Sequence, residues 1–454
     1  MQYTSRILHS TIKNARKPKL MSQILCYPEA IPKEKSAVSS CKSLKLMLHR
    51  GLIKHVSPGI FSLMPLTLRS LKKLCDLIVM SMDKVNGQKV IFPTLIQDSL
   101  MKTSGRWEGN TNLFKLKDRH ASDYCLGPTH EEIATSLMAK LRVTYKYLPL
   151  RLYQISTKFR DEMNPKLGLL RGREFLMKDM YTFDTNEENS QITYNAVCDA
   201  YSEFFQLLGI SHIKVKGSSG DIGGKKSHEF QLPSVIGEDE IYHCPKCKEG
   251  MNSELLEKSE PVCSTCNIPL QKCAAIEVGH AFLLGTTYSD PFQAQYDTDK
   301  HVFRNLEMGC YGLGVSRILA ASIEHLSTAD NIRWPFLIAP FYISVIPPKK
   351  GSKEESIAPL ADSIAESLSK IDWLTSNIVI DDRTHFTIGK RVQEASGIGI
   401  PYVIVVGKHA QGDTPKFEII DTYSDQTHML SLEDTLQFFM DRNSLLDSHC
   451  NITT

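Results

Sequence analysis

Apolar positions along the chain follow two periods. Leu71, Leu74, Cys75, Ile78, Met82 and Val85 recur at three- and four-residue steps, one face of a helix that Asn86-Gly87 ends. Val90-Ile91-Phe92 then reads as a strand stopped by Pro93. Ile192, Val197, Tyr201, Phe204 and Phe205 mark a second amphipathic helix over residues 187–208. Between them, residues 158–162 and 173–181 alternate on either side of a loop with Asn164, Pro165 and Gly168, which predicts an antiparallel hairpin carrying one charged face. Residues 275–289 alternate as a buried strand. Trp334-Pro335 and Ala339-Pro340 read as a linker, and the segments FYISVIPP, 357–368, NIVIDD and IPYVIVVG beyond it alternate strand and helix, an α/β sheet domain.

A length of 454 residues accommodates two to three domains. Lys and Arg (53) nearly balance Asp and Glu (51), so contact with nucleic acid must be local, and a histone-like binder is disfavoured. No window approaches the ~20 apolar residues of a membrane-spanning helix. The 12 cysteines occur without a secretory signal, which points to a reducing interior with unpaired thiols. Residues 1–28 hold Arg6, Lys13, Arg16, Lys17 and Lys19 and no acid, with Ile7, Leu8 and Ile12 along one side. That is the pattern of a mitochondrial transit peptide, its boundary open, with a disordered basic tail as the alternative.

Chemistry enters at three places. The hairpin interleaves Arg160, Glu162, Arg171, Arg173, Glu174 and Lys178 with Phe159, Phe175 and Tyr181. Guanidinium groups that hold phosphates beside rings that stack on bases fit this density better than a solvated hairpin does. Cys244, Cys247, Cys263 and Cys266 form two CxxC pairs with 15 residues between them, the spacing of a zinc ribbon at 240–272 holding a structural metal. Four reduced thiols on a metal-free hairpin are the alternative. Thr129, His130, Glu131 and Glu132 follow Gly127-Pro128 and also suit an ordinary helix start.

The stretch KFRDEMNPKLGLLRGREFLMKDMYTFD resembles motif 2 of class II aminoacyl-tRNA synthetases, with wording similar to the bacterial and organellar prolyl type. The helix, strand and Pro93 before it resemble motif 1, and GLGVSR at 312–317 resembles motif 3, in the family's order. The resemblance implies an α+β catalytic domain over 40–335, an antiparallel sheet flanked by helices, followed by an α/β anticodon-binding domain over 340–454. It implies that Arg160 meets the ATP α-phosphate and the proline carboxylate, Glu162 the adenine amino group, and Phe175 the adenine ring. Arg171 is a further ATP contact and, more weakly, Thr286 an ATP or proline contact. Gly312 and Gly314 let the nucleotide approach the backbone, and Arg317 faces the γ-phosphate. Thr129 and Glu131 would take the proline imino group, a secondary ammonium that needs a carboxylate and a hydroxyl, while His280 shapes the ring slot. Asp382, Arg383 and Lys390 would meet the anticodon loop. The family's GDIGGKKSHEF-like phrase precedes a large editing insertion that this sequence lacks, so no editing of mischarged tRNA in cis is expected. Also implied are ATP with Mg2+, proline and tRNA(Pro) as substrates, a homodimer built on motif 1, no membrane contact and the mitochondrial matrix. A synthetase-like subunit without activity, or a class II enzyme for another amino acid, would carry a similar frame.

Overall fold

The computed structural model describes residues 18–28, 41–109, 112–256 and 261–451, and the side chains up to residue 442. The first part of the basic leader, 1–17, lies outside the described residues.

Helix α1 (Pro65–Lys84) opens on a proline at its first turn, where the missing N–H costs nothing, and buries Leu71, Leu74, Ile78 and Met82 as the periodicity predicts. The strand after it, β2 (Gln88–Lys89), sits two residues earlier than expected, and residues 90–93 continue as extended chain with Val90 N–H donating to the Tyr153 carbonyl. The hairpin is longer and shifted: β3 (Leu150–Phe159) and β4 (Glu174–Asp184) pair antiparallel, Phe159 opposite Glu174 and Lys158 opposite Phe175. Arg160 and Glu162 therefore stand in the loop beyond the strand. The hairpin does not carry a single charged face, because Lys158, Lys178 and Asp179 are all buried.

Helix α3 (Glu187–Leu207), capped by the Asn186 side chain, buries Val197, Tyr201, Phe204 and Phe205, whereas Ile192 is 60% exposed. Then follow β5 (Ile213–Lys216), β6 (Lys226–Pro233), β7 (Asp239–His243), β8 (Gly250–Asn252), β9 (Gln271–Gly285) and β10 (Glu307–Leu313), before helix α4 (Val315–Leu326). Together they make a nine-stranded, mostly antiparallel sheet in the order β6-β5-β8-β7-β9-β10-β4-β3-β2, and a further β6–β9 pairing closes its first five strands on themselves. Helices α3 and α4 cover one face, through Tyr201, Phe204, Ile318 and Leu319, leaving the other face of β4, β9 and β10 open as a cleft.

The C-terminal domain is a six-stranded sheet. Its β11 (Ile343–Ile346), β12 (Ile378–Ile380) and β13 (Tyr402–Val405) are parallel, and β14 (Phe417–Asp421) and β15 (Gln426–Leu430) return antiparallel. Its edge is completed by β1 (Lys19–Leu20), parallel to β12. Met21 is buried and Ser22 donates to the Asp382 carboxylate through its backbone N–H at 2.9 Å. Residues 18–28, read from sequence as leader, are thus part of the folded protein. The segment expected to be a linker is equally integral: Trp334, Ile338 and Ala339 are buried, and the Trp334 indole donates to the Ile398 carbonyl at 2.9 Å.

Candidate active site

The cleft encloses about 260 Å3, and Arg160, Phe175, Glu131, His280, Gly312 and Arg317 all line it. A second lobe of about 230 Å3 opens beside it, sharing Arg160, Glu162, Arg171, Glu277 and Arg317 and adding Asp239. The adjacent strands β4, β10 and β9 bring Phe175, Gly312 and His280 to one face, and Thr129, Arg160 and Arg317, up to about 190 positions apart in the chain, reach it from flanking loops and helices.

At the phosphate-sized end two arginines differ in their commitments. The Arg160 guanidinium lies over the Phe175 ring, 5.3 Å from its centroid, and has no hydrogen bond or ion pair among the described residues. Burial and the neighbouring Arg317 charge depress its pKa below the usual guanidinium value. Arg317 is tethered: Nε donates to the Leu170 carbonyl and Nη1 to the Glu277 carbonyl, both at 2.8 Å. Gly314 opens α4 ahead of it, and a Cβ there would stand 3.2 Å from that of Arg317. The Glu162 carboxylate accepts from Arg171 Nε at 3.0 Å and Nη2 at 2.9 Å, and Arg171 also reaches Glu238 at 2.8 Å. Both residues line the cleft, but their charges are spent on each other, so a nucleotide must share or displace that pair.

At the small end the polar groups are buried. Glu131 opens helix α2 (Glu131–Leu141) with no exposed surface; its carboxylate accepts from the Thr129 hydroxyl at 2.7 Å, from the Cys310 thiol at 3.0 Å and from Arg106 at 3.1 Å. The Thr129 hydroxyl points at this acid and caps no helix. Burial drives the Glu131 pKa up, but Arg106, Cys310 and Thr129 together hold it below the ordinary value. The adjoining Glu132, also 3.0 Å from Arg106, goes the other way, raised by burial and by Glu131. Beneath lies a second network, in which Lys158 Nζ is 2.9 Å from Asp179 and 2.8 Å from His130 Nδ1, while the Tyr181 hydroxyl donates to Asp179 at 2.8 Å.

His280 stacks on Phe282, ring centroids 3.8 Å apart, and its Nδ1 is 2.9 Å from Glu277 Oε1. Its Nε2 is buried with no partner among the described residues, a polar atom left for a ligand. Simple alternation would put residues 277 and 280 on opposite faces. A bulge does the opposite: Glu229 and Phe230 face His280 and Gly279, but Gln231 faces Glu277, skipping Val278. Although burial pushes Glu277 up, His280, Arg317 and Arg160 hold it down to about 2.

Arg160, Glu162, Arg171, Phe175, Thr129, Glu131, His280, Gly312, Gly314 and Arg317 thus converge as the sequence implies. Thr286 does not: it follows Gly285, where a φ of 62° turns the chain away, and its hydroxyl donates to Asp290 at 2.9 Å. The three expected anticodon contacts are largely engaged within the C-terminal domain. Asp382 is held by Ser22, Arg383 pairs with Asp381 and Glu394 at 2.7 Å each, and Lys390 lies 3.7 Å above the Phe386 ring. Sequence reasoning missed Arg106, Glu277, Asp179 and Cys310. For Arg106 the signal was a basic residue in TSGRWEG upstream of two adjacent acids; for the others nothing in the local pattern sets them apart.

Comparison with known proteins agrees with this geometry. Residues 114–326 match the family described as tRNA synthetase class II core domain (G, H, P, S and T), and residues 343–442 match the anticodon binding domain. A probable mitochondrial proline–tRNA ligase of Rattus norvegicus is 48% identical over 88% of this chain and 84% of its own length. The one from Schizosaccharomyces pombe is 40% identical over 81% and 86%. A proline–tRNA ligase of a Wolbachia endosymbiont of Drosophila simulans is 36% identical over 90% and 97%. The fold matches a prolyl-tRNA synthetase of Cryptosporidium parvum, crystallised with halofuginone and AMPPNP, with a TM-score of 0.74 over 93% of this chain and 78% of that one at 16% identity. A cleft of this construction, two domains matched in order and near-full-length identity of this degree together establish that the chain belongs to the proline–tRNA ligases, a family of class II aminoacyl-tRNA synthetases.

Proposed function

We propose that this protein joins L-proline to tRNA(Pro) in two steps, through a prolyl-adenylate, in the mitochondrial matrix. The observation that carries the reading is the unengaged Arg160 guanidinium over the Phe175 ring, in the same cleft as a buried carboxylate, Glu131, held below its ordinary pKa. Glu131 and the Thr129 hydroxyl take the secondary ammonium of proline, and His280 with Phe282 bounds the ring. The proline carboxylate then attacks the α-phosphorus of ATP in line, and pyrophosphate leaves. Arg160 offers fixed positive charge where it builds on the α-phosphate, Phe175 stacks on the adenine, and Arg317 meets the departing end. Sites of this kind work by positioning and preorganised charge, without a covalent nucleophile. The terminal ribose hydroxyl of the tRNA finally displaces AMP from the adenylate. The carboxylates of Glu277 and Asp239 at the phosphate end are the oxygen donors that suit Mg2+, which screens phosphate charge when bound.

Structural zinc in the hairpin fits its donor set. The four thiol sulfurs lie within 4.8 Å of one another. Bonds of about 2.3 Å in a tetrahedron require sulfurs about 3.8 Å apart. Each pair sits on the same kind of knuckle, with Cys247 N–H directed at Cys244 Sγ at 3.5 Å and Cys266 N–H at Cys263 Sγ at 3.3 Å. The left-handed residues Lys248 and Asn267 follow the two pairs (φ 60° and 53°). Dimerisation through motif 1 is supported by the exposed apolar side chains Ile91 (81%) and Leu95 (49%) just past α1. Correction of any Ala-tRNA would fall to another protein, since a small apolar pocket rejects a smaller amino acid by only about 1–3 kcal/mol.

ATP–pyrophosphate exchange across a panel of amino acids tests the reading. Exchange dependent on proline is expected; exchange with a different amino acid, or none from folded protein, would overturn it.

A further inference from the structure

A second cleft, of about 580 Å3, lies away from the one that holds Arg160. Helix α3 forms one side with Tyr194, and the cysteine hairpin forms the other with Val262, Cys263 and Ser264. Its floor is β5 and β6. Strand alternation sends Ile213 and Val215 inward, into a small core with Ile241 and Ala275, and Lys214 and Lys216 outward. On β6, Lys226 and His228 share that outward face, with Lys216 directly opposite His228. The His228 ring is fixed by the Tyr194 hydroxyl at 2.7 Å.

Three exposed ammonium groups therefore stand in one groove. None of them is in an ion pair with a described residue; Lys226 only rests over the Tyr194 ring, 5.3 Å from its centroid. Two acids, Asp199 and Glu249, also line the groove, and Glu249 accepts from the Thr265 hydroxyl at 2.8 Å, leaving a net excess of positive charge. That excess is felt locally, because burial together with Lys214, Lys226 and Lys216 pushes His228 down to about 4, so it adds no charge. Glu229, the neighbour of His228, pairs with His280 of the first cleft. The groove is thus one strand removed from the amino-acid pocket, on the helix-covered face of the sheet.

We propose that this groove binds the phosphodiester backbone of the tRNA substrate, with Lys214, Lys216 and Lys226 as its phosphate contacts and the cysteine hairpin as its far wall. The inference rests on the ligase reading for the identity of the RNA. Open, hydrated, separately mobile lysines suit a polyanion contacted at several phosphates, whereas a small anion would need converging buried donors. The residues lining this groove would then contribute RNA affinity in the interval where the family resemblance leads one to expect no editing insertion.

The test is the full-length triple variant Lys214→Gln, Lys216→Gln, Lys226→Gln, titrated with tRNA(Pro) transcript at a series of salt concentrations. Three lost contacts at a slope of about 0.7 each predict that, between about 50 and about 200 mM salt, wild-type affinity falls roughly twenty-fold more than that of the variant. The KM for tRNA in aminoacylation should rise in parallel at low salt. Proline-dependent exchange, which uses no tRNA, reports whether the variant is folded. Identical salt slopes and tRNA KM values in the two proteins would overturn the proposal. So would loss of inorganic phosphate binding in the variant with tRNA affinity unchanged, which would make this a small-anion site. Absence of exchange in wild type together with salt-dependent RNA binding lost in the variant would instead remove the ligase reading and keep the groove.

Discussion

Arg106 is the residue on which the chemistry of the small end turns, and Arg106→Met is the change that exposes it. One guanidinium nitrogen lies 3.1 Å from Glu131 and 3.0 Å from Glu132, with Arg106 only 9% exposed and both acids fully buried. A unit-charge pair at this distance attracts by about 5 kcal/mol at an effective dielectric of about 20. Desolvation of all three groups offsets much of that, and removing one partner from such a cluster costs about 3–5 kcal/mol. Methionine fills similar space, so the loss is electrostatic and not that of a cavity. In the wild-type fold Glu131 sits below its ordinary 4.5, so its contribution to stability is present above that pH and is lost as pH falls through the lower folded value. Without Arg106, burial, the largest influence, is opposed only by the hydrogen bonds from Cys310 and Thr129, and the Glu131 pKa moves upward. The sign then reverses: the variant's Glu131 is held protonated in the fold, and stability is lost as pH rises through and beyond 4.5. Denaturant titration should show the destabilisation, and proline KM from exchange, followed from acid to neutral pH, should show an acid limb displaced upward. Arg106→Lys, which keeps the charge, should restore the profile in part. A proline KM and pH profile equal to wild type in a stable Arg106→Met protein would refute the assignment of Glu131 as the charged acceptor.

Three further expectations can be checked simply. Metal analysis of purified protein should find one zinc per chain, and Cys247→Ser should lose it and lower the melting temperature, because metal binding is folding energy in such hairpins. Phe175→Ala should raise the KM for ATP by roughly five- to a hundred-and-sixty-fold, the worth of about 1–3 kcal/mol for a base stacked on a ring, with proline KM unaffected. A chain beginning at Pro18 should melt above one beginning at Glu29, since the shorter chain loses the β1 edge, the Ser22–Asp382 bonds and the buried Met21, a side chain worth about 1.5–3 kcal/mol on burial; equal melting would show that the segment adds nothing.

The long periodic elements were legible because one face of each meets a core. On the predicted face of α1 Leu71, Leu74, Ile78 and Met82 are buried and Cys75 is half-buried, and α3 departs only at Ile192, which sits on the outer side of its helix near the N-terminal end. Arg160, Phe175, Thr129, Glu131 and Arg317 were legible through motif wording, and the sheet brings them together. What was not legible depends on contacts between distant segments. Lys158 and Lys178 look like surface charges until Asp179, His130 and the Tyr201 and Tyr311 groups close around them. Glu277 shares a face with His280 only because of a bulge, and bulges leave no mark in an alternating pattern. Lys19 and Leu20 belong to a basic leader by composition, yet the exposed edge of β12 recruits them, and two residues are too few to announce a strand. Asp382 and Arg383 look free in sequence and are occupied by partners at 22, 381 and 394.

The most direct test of the central claim is proline-dependent ATP–pyrophosphate exchange by the chain beginning at Pro18, with Arg160→Ala alongside. Loss of one preorganised donor at a developing charge typically lowers turnover by about a hundred- to a thousand-fold, and the Arg160 guanidinium, having no hydrogen-bond or ion-pair partner among the described residues, can be removed without breaking the fold. Exchange that needs proline is expected, falling by that factor in a variant of unchanged melting temperature. Undiminished exchange in Arg160→Ala would contradict the claim.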